Sequence, residues 1–360
     1  MSTAWFSKAL LPWYREHQRP LPWRRSAPSA AGPADPYRIW LSEVILQQTR
    51  VDQGKAYWHR FVERYPTVHD LAKAPEDEVL RLWQGLGYYS RARNLCTAAR
   101  QVVEVHGGRF PQDHEQLKGL KGVGEYTAAA IGSIAFGLPE AVVDGNVYRV
   151  LARVFGIDTP IDSTEGRKQF RTLAAGLLDP LHPGDHNQAV MELGALVCTP
   201  KKPRCAHCPL SAKCIALRTD RIATLPVKAG RTTIRTRHFN YLHIQRGTGL
   251  FLRKRTAKDI WQGLYELPLL EADKPLTRRS FMTALKQEFG EGWTVLAMTG
   301  PVKHVLSHQH ILALFWQVLP PKGFRAPKEW KAVDREAVDR HALPRLLERH
   351  VMRTGGKEQR

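Results

Sequence analysis

The spacing of apolar residues changes once along this chain, near residue 219, and that change does most to limit what it can fold into. Before it, apolar side chains recur at helical intervals: Trp40, Leu41, Val44 and Ile45; Val79, Leu80, Leu82 and Trp83; Ala128, Ala129, Ile131, Ile134 and Ala135; Val147, Val150, Leu151 and Val154. Short glycine-bearing loops punctuate them at Gly85-Leu86-Gly87, Gly107-Gly108 and Gly122-Val123-Gly124. No stretch of this part alternates as a half-buried strand would. Beyond residue 219, His238 to Gln245, Gly249 to Arg253 and His310 to Leu319 read as strands, the first two joined by a turn at Arg246-Gly247-Thr248. Ser280 to Phe289 reads as a helix. The expected chain is therefore multi-domain: all-α over 1–218, a basic linker over 219–236, α+β over 237–349, and a polar tail over 350–360. A length of 360 residues suits two or three domains.

Charge narrows the partners. Between Thr219 and Trp261 ten Lys and Arg stand against Asp220 and Asp259, and the whole chain has 54 Lys and Arg against 34 Asp and Glu, a net charge of +20. A field of that size attracts polyanions, although a basic protein with no such partner is the alternative on charge alone. Ten Trp and ten Tyr provide faces that stack on bases, which favours nucleic acid over a membrane surface. No run approaches ~18 apolar residues, and Met1 to Pro12 lacks the pattern of a secretory leader. The chain is read as soluble, cytoplasmic and independent of membranes.

Four of the five cysteines fall within seventeen residues, Cys198, Cys205, Cys208 and Cys214, spaced C-x6-C-x2-C-x5-C. In a chain without a leader this cluster reads as a metal site rather than a disulfide knot. Structural zinc usually uses two short pairs and only one is present, whereas four thiolates also suit an iron-sulfur cluster. Lys201, Lys202, Arg204 and Lys213 lie between them and could offset negative charge or touch phosphates. Cys96 reads as a small buried hydrophobe.

Three further features carry chemistry. In Leu117 to Ala128 a helix, the turn Gly122-Val123-Gly124 and a second helix follow one another. Such glycines permit a tight turn and expose N–H groups to a phosphate, though the same turn joins helices in many bundles. Asp144 precedes an apolar helical run and reads as its N-cap, which would keep the carboxylate ionised and suited to stabilising a cation. Ile39, Glu43 and Leu46 share one helix face, so Glu43 is either desolvated and able to hold a proton near neutrality or paired with an Arg. An acid and an ionised stabiliser are what glycosidic bond cleavage requires.

The helix-hairpin-helix turn, the Asp in Val143-Asp144-Gly145-Asn146 and the cysteine spacing together resemble the endonuclease III superfamily of DNA glycosylases. Trp23-Arg24, Ser42 to Thr49, Gly85 to Arg93 and Asn187-Gln188 are similar to the adenine DNA glycosylase family within it. The resemblance covers about Trp5 to Leu217. It implies an all-α helix-hairpin-helix glycosylase domain with a 4Fe-4S iron-sulfur cluster in the loop 198–214. Glu43 would protonate a flipped adenine and Asp144 would stabilise the sugar cation, with Tyr126 and Asn146 beside the sugar. Arg24 and Gln188 would contact the adenine. Gln48, Thr49, Leu86 and Tyr88 would enter or support the duplex, and Gly122 and Gly124 would hold the DNA backbone. Bifunctional relatives carry a Lys where this chain has Tyr126, which cannot form a Schiff base. A monofunctional enzyme without strong lyase activity is implied.

More weakly, Trp261 to Pro268 resemble the Nudix-like domain that this family attaches. Ser280 to Gly290 has only Glu288 as an acid, so pyrophosphohydrolase activity is not expected. The resemblance implies recognition of 8-oxoguanine through Ser307 and His308, with Leu306 replacing the usual aromatic. Other departures are an inserted loop over Ser26 to Asp35, Lys121 in place of a proline, and Glu125 beside the phosphate site. The implied activity is excision of adenine from double-stranded DNA containing 8-oxoguanine:A or G:A mispairs by a monomer, in base excision repair. A thymine or oxidised-pyrimidine glycosylase, or a non-catalytic mismatch-binding protein, are the alternatives.

Overall fold

The computed structural model describes residues 4–24, 34–230, 233–246 and 249–353. Most of the expected insertion (26–33), the turn residues Gly247-Thr248 and the tail from residue 354 lie outside the described residues. Two compact units emerge: residues 1–73 with 94–230, and residues 74–93 with 231–360.

Up to residue 218 the described residues form helices and no strand: α1 (Ala4–His17), α2 (Pro36–Leu46), α3 (Val51–Arg64), α4 (Val68–Lys73), α5 (Glu76–Leu82), α6 (Ser90–Glu104), α7 (His114–Gly119), α8 (Glu125–Phe136), α9 (Gly145–Phe155), α10 (Thr164–Leu177), α11 (Pro183–Leu196) and α12 (Ile215–Arg218). The first unit closes around Phe6 and Leu10 of α1, Leu151 of α9, Phe170 of α10 and Leu193 of α11, all buried. Each such side chain contributes ~1.5–3 kcal/mol through removal from water. Residues 221–230, the first half of the expected linker, fold back onto this unit. Leu225 joins its core, the Ile161 N–H donates to the Val227 carbonyl at 3.0 Å, and Asp162 accepts the Ala229 and Gly230 N–H groups.

The second unit is built on a sheet of β1 (Arg235–Arg246), β2 (Gly249–Lys254), β3 (Tyr265–Glu266), β4 (Leu269–Ala272), β5 (Thr294–Val305), β6 (Gln309–Leu319) and β7 (Trp330–Val333), with helices α13 (Arg278–Phe289) and α14 (Arg345–Arg353). Strand order is β3-β2-β1-β6-β5, with β4 also on β1 and β7 on β2. β1 and β6 run parallel with Arg235 opposite Gln309 and Ile244 opposite Val318, and the other pairs are antiparallel. Phe281 of α13 stacks on Trp316 of β6 at 4.1 Å, over Leu242 and Ile244. β5 is absent from the sequence reading. It is exposed along nearly its whole length and interrupted by bulges around Gly300-Pro301, so it shows no alternation. No helix among the described residues is long and apolar enough to cross a membrane.

The cysteine loop corrects an expectation. Cys198, Cys205, Cys208 and Cys214 do line one cavity, but it measures about 20 Å³, room for about one water rather than a cube of iron and sulfide. Burial raises the Cys214 thiol and pushes Cys208 up to about 11. The buried Arg153 guanidinium organises the loop instead, donating to the carbonyls of Thr199, Pro200 and Leu225 and to Cys198 Sγ. Among the described residues no group of three or more His, Cys, Asp or Glu is arranged to hold a metal ion. The helical unit followed by a β-rich unit stands; the iron-sulfur loop, its 4Fe-4S cofactor and metal binding do not.

Candidate active site

Glu43 reaches the site because α2 starts cleanly and turns an otherwise apolar face inward. Asp35 caps the helix by accepting the Tyr37 N–H at 2.9 Å, and Pro36 occupies the first turn. Opposite it, α7 and α8 meet through Gly122, whose φ of +80° suits glycine and whose missing Cβ would lie 2.7 Å from the Asn94 Cβ. That turn delivers Tyr126 in the first turn of α8, and its hydroxyl donates to Glu43 Oε2 at 2.8 Å.

Asp144 caps α9, accepting the Val147 N–H at 2.7 Å and the Asn146 Nδ2 at 2.8 Å. Asn146 Oδ1 in turn accepts from Arg149, which also donates to the Gly194 and Cys198 carbonyls. Gly194 is glycine by necessity: a Cβ there would lie 2.6 Å from the Asn146 Cβ. Buried Asn187 ties α11 to the segment leading into Asp144, accepting the Val142 N–H and donating to Ser133 Oγ and the Glu140 carbonyl.

The two carboxylates lie in one cavity of about 730 Å³, within the size range of small-molecule sites. Burial pushes Glu43 up to about 7; the Tyr126 hydrogen bond opposes this, Asp144 adds to it and Arg24 opposes it. Burial also holds the Tyr126 phenol far above its ordinary range, so it remains a donor. Asp144 departs from the reading of its cap alone. Burial outweighs the hydrogen bonds from Val147 and Asn146, and its net shift is upward.

Eight of the expected site residues line this cavity: Glu43, Tyr126, Asp144, Asn146, Arg24, Gln188, Gln48 and Thr49. Gln48 is exposed with a φ of +56°, a strained conformation for a side chain of its size. Leu86, Tyr88, Ser307 and His308 belong to the other unit, where Tyr88 has a φ of +49° and its hydroxyl pairs with Ser307 Oγ. Gly124 caps α8 without a side-chain bond, and the neighbouring Glu125 charge is partly offset by Lys118 at 2.6 Å.

Sequence reasoning missed Glu192, Arg19 and Arg149. Glu192 sits one helical turn beyond Gln188 and is 1% exposed, with Arg19 and Arg24 both paired to it. The i, i+4 spacing from Gln188 was the available signal; the partners, 168 and 173 residues away, gave none.

Residues 41–175 match the HhH-GPD superfamily of base excision DNA repair proteins, and residues 240–353 match the NUDIX domain. An adenine DNA glycosylase from Mus musculus is 40% identical over 316 residues, 87% of this chain and 59% of that protein. One from Buchnera aphidicola subsp. Schizaphis graminum is 34% identical over 265 residues, 73% of this chain and 74% of that protein. The solved structure of a thermostable thymine-DNA glycosylase superimposes with a TM-score of 0.54 at 30% identity, covering 61% of this chain and 97% of that one. The chain spans between 39% and 59% of the length of the mammalian relatives it matches.

Proposed function

The chain belongs to the adenine DNA glycosylase family, and on that premise we propose that it hydrolyses the N-glycosidic bond of adenine mispaired with 8-oxoguanine or guanine in duplex DNA, in base excision repair. The observation that carries the reading is the Glu43 carboxyl, buried against Tyr126 at 2.8 Å and pushed up to about 7, in one cavity with Asp144. A carboxyl in that range is a general acid matched to neutral pH.

In this reading Glu43 gives its proton to a ring nitrogen of the flipped adenine. The base then leaves neutral, taking the electron pair of the glycosidic bond. Asp144 faces the cation left on the deoxyribose, whose approach favours the ionised carboxylate against the cost of its burial. Water adds to the sugar carbon and its proton returns to Glu43. Asn146 orients Asp144, Tyr126 orients Glu43, and Arg24 and Gln188 hold the base. Gln48, Thr49, Leu86 and Tyr88 support the opened duplex, Ser307 and His308 read 8-oxoguanine, and Gly122 and Gly124 hold a phosphate. No lysine lines the cavity among the described residues, which supports an abasic product without Schiff-base chemistry. A monomer acting on chromosomal DNA in a bacterial-type cytoplasm completes the proposal.

Single-turnover incubation with an 8-oxoguanine:A duplex tests it. Free adenine and an alkali-labile strand are expected. An intact duplex refutes the reading, and release of thymine from a G:T duplex in its place would favour the pyrimidine alternative.

A further inference from the structure

Glu192 is the most heavily engaged carboxylate in the cavity wall. Its Oε1 accepts the Arg19 backbone N–H at 2.9 Å and Arg19 Nε at 2.7 Å; its Oε2 accepts Arg19 Nη2 and Arg24 Nη2, both at 2.8 Å. Arg24 Nη1 completes the set on the Arg19 carbonyl at 3.1 Å. These bonds pin the segment after α1 onto α11, and the side chains of Glu192 and Arg24 are only 1% and 11% exposed. In so dry a setting one unpaired cation acts strongly on its neighbours. Glu43 is faced by Tyr126 from α8, Asp144 from the cap of α9 and Arg24 from the segment after α1. Arg19, Arg50, Asp52 and Glu192 are the other charged groups lining the cavity.

We propose that Glu192 is a positioning residue for the reaction: it holds Arg24 in the wall and cancels its charge, so that Arg24 can meet the base without drawing the proton off Glu43. This rests on the adenine-releasing reading given above. Two guanidiniums share one carboxylate here. Removing that charge while keeping its shape, as in Glu192→Gln, leaves both cations uncompensated beside an acid that must stay protonated.

The test is the pH dependence of single-turnover adenine release from an 8-oxoguanine:A duplex. In Glu192→Gln the alkaline limb should move down by roughly 1 unit, the low end of what a nearby unpaired cation does to a carboxyl. That lowers release about eight-fold near pH 7.5, while the two profiles converge near pH 5. Arg19→Gln, at a side chain 32% exposed, leaves one guanidinium on one carboxylate, so the cluster loses a positive charge and should move the limb the other way, by less. It also keeps the idea testable if Glu192→Gln does not fold. Equal loss at every pH, or an unmoved limb in both variants, overturns the inference. A wild-type chain inert on the duplex at every pH sinks instead the functional reading beneath it.

Discussion

Removing the Tyr126 hydroxyl has an outcome that the site geometry determines closely. The hydroxyl donates to Glu43 Oε2 at 2.8 Å, and this bond favours the ionised carboxylate against its burial. A hydrogen bond to a charged group contributes ~1.5–3 kcal/mol, and one pKa unit corresponds to ~1.36 kcal/mol. Its loss therefore raises Glu43 by roughly 1–2 units, and a water admitted in place of the hydroxyl holds the rise to the lower figure. In the proposed reaction Glu43 acts as an acid, so release should fall as pH rises through its pKa. In Tyr126→Phe that limb should move from about 7 to roughly 8. At pH 8 the protonated fraction then rises from about 0.1 to about 0.5, some five-fold. Single-turnover release across pH measures this, and the plateau at low pH reports separately any loss of orientation. A limb that stays in place, or moves toward acid, refutes the assignment of Glu43 as the acid held by Tyr126.

Three other outcomes follow from the same structure. In Gly194→Ala the new Cβ meets the Asn146 Cβ at 2.6 Å and the Asn146 backbone at 3.1 Å. Urea unfolding should show a loss of ~1–3 kcal/mol, and adenine release should fall at least ~10-fold as Asn146 shifts; an unchanged rate would contradict the role given to Asn146. His186, 2% exposed beside Ser7 Oγ at 3.0 Å, is lowered by burial from 6.5 to about 4. As pH falls from 6.5 the unfolded chain takes this proton before the folded one, so stability declines down to about pH 4, by at most ~3 kcal/mol. The slope of Tm against pH should thus be shallower in His186→Gln. With ~6–10 phosphate contacts, duplex affinity should drop ~10³–10⁵-fold between about 50 and 200 mM salt, as fluorescence anisotropy would show, whereas the choice of base should change far less. Metal analysis of the purified chain should find no iron at the cysteine loop; four irons per chain would contradict this.

What could be read in the sequence divides by range. The carboxylates of Glu43 and Asp144 stood out through local patterns, an apolar helix face and an N-cap, but those patterns left other roles open, and it was the family resemblance that singled them out, as it did Tyr126. The pull of burial on Asp144 was not legible, since desolvation depends on what α2, α8 and α11 lay over it. Glu192 looked like any helical acid until α11 met the segment after α1. Residues 74–93 group with the second unit through long-range packing that no local period encodes. β5 escaped because both its faces are largely open, which removes the alternation that identifies β6. The four cysteines show the opposite error: their spacing nominated ligands, but spacing carries no information on the room between the thiols.

The most direct measurement is single-turnover adenine release by Glu43→Gln beside the wild type, on an 8-oxoguanine:A duplex that both proteins bind. The amide keeps the shape of the side chain and cannot supply the proton. Release should fall by ~10²–10⁴-fold, the usual contribution of a positioned general acid. Release at the wild-type rate would contradict the account.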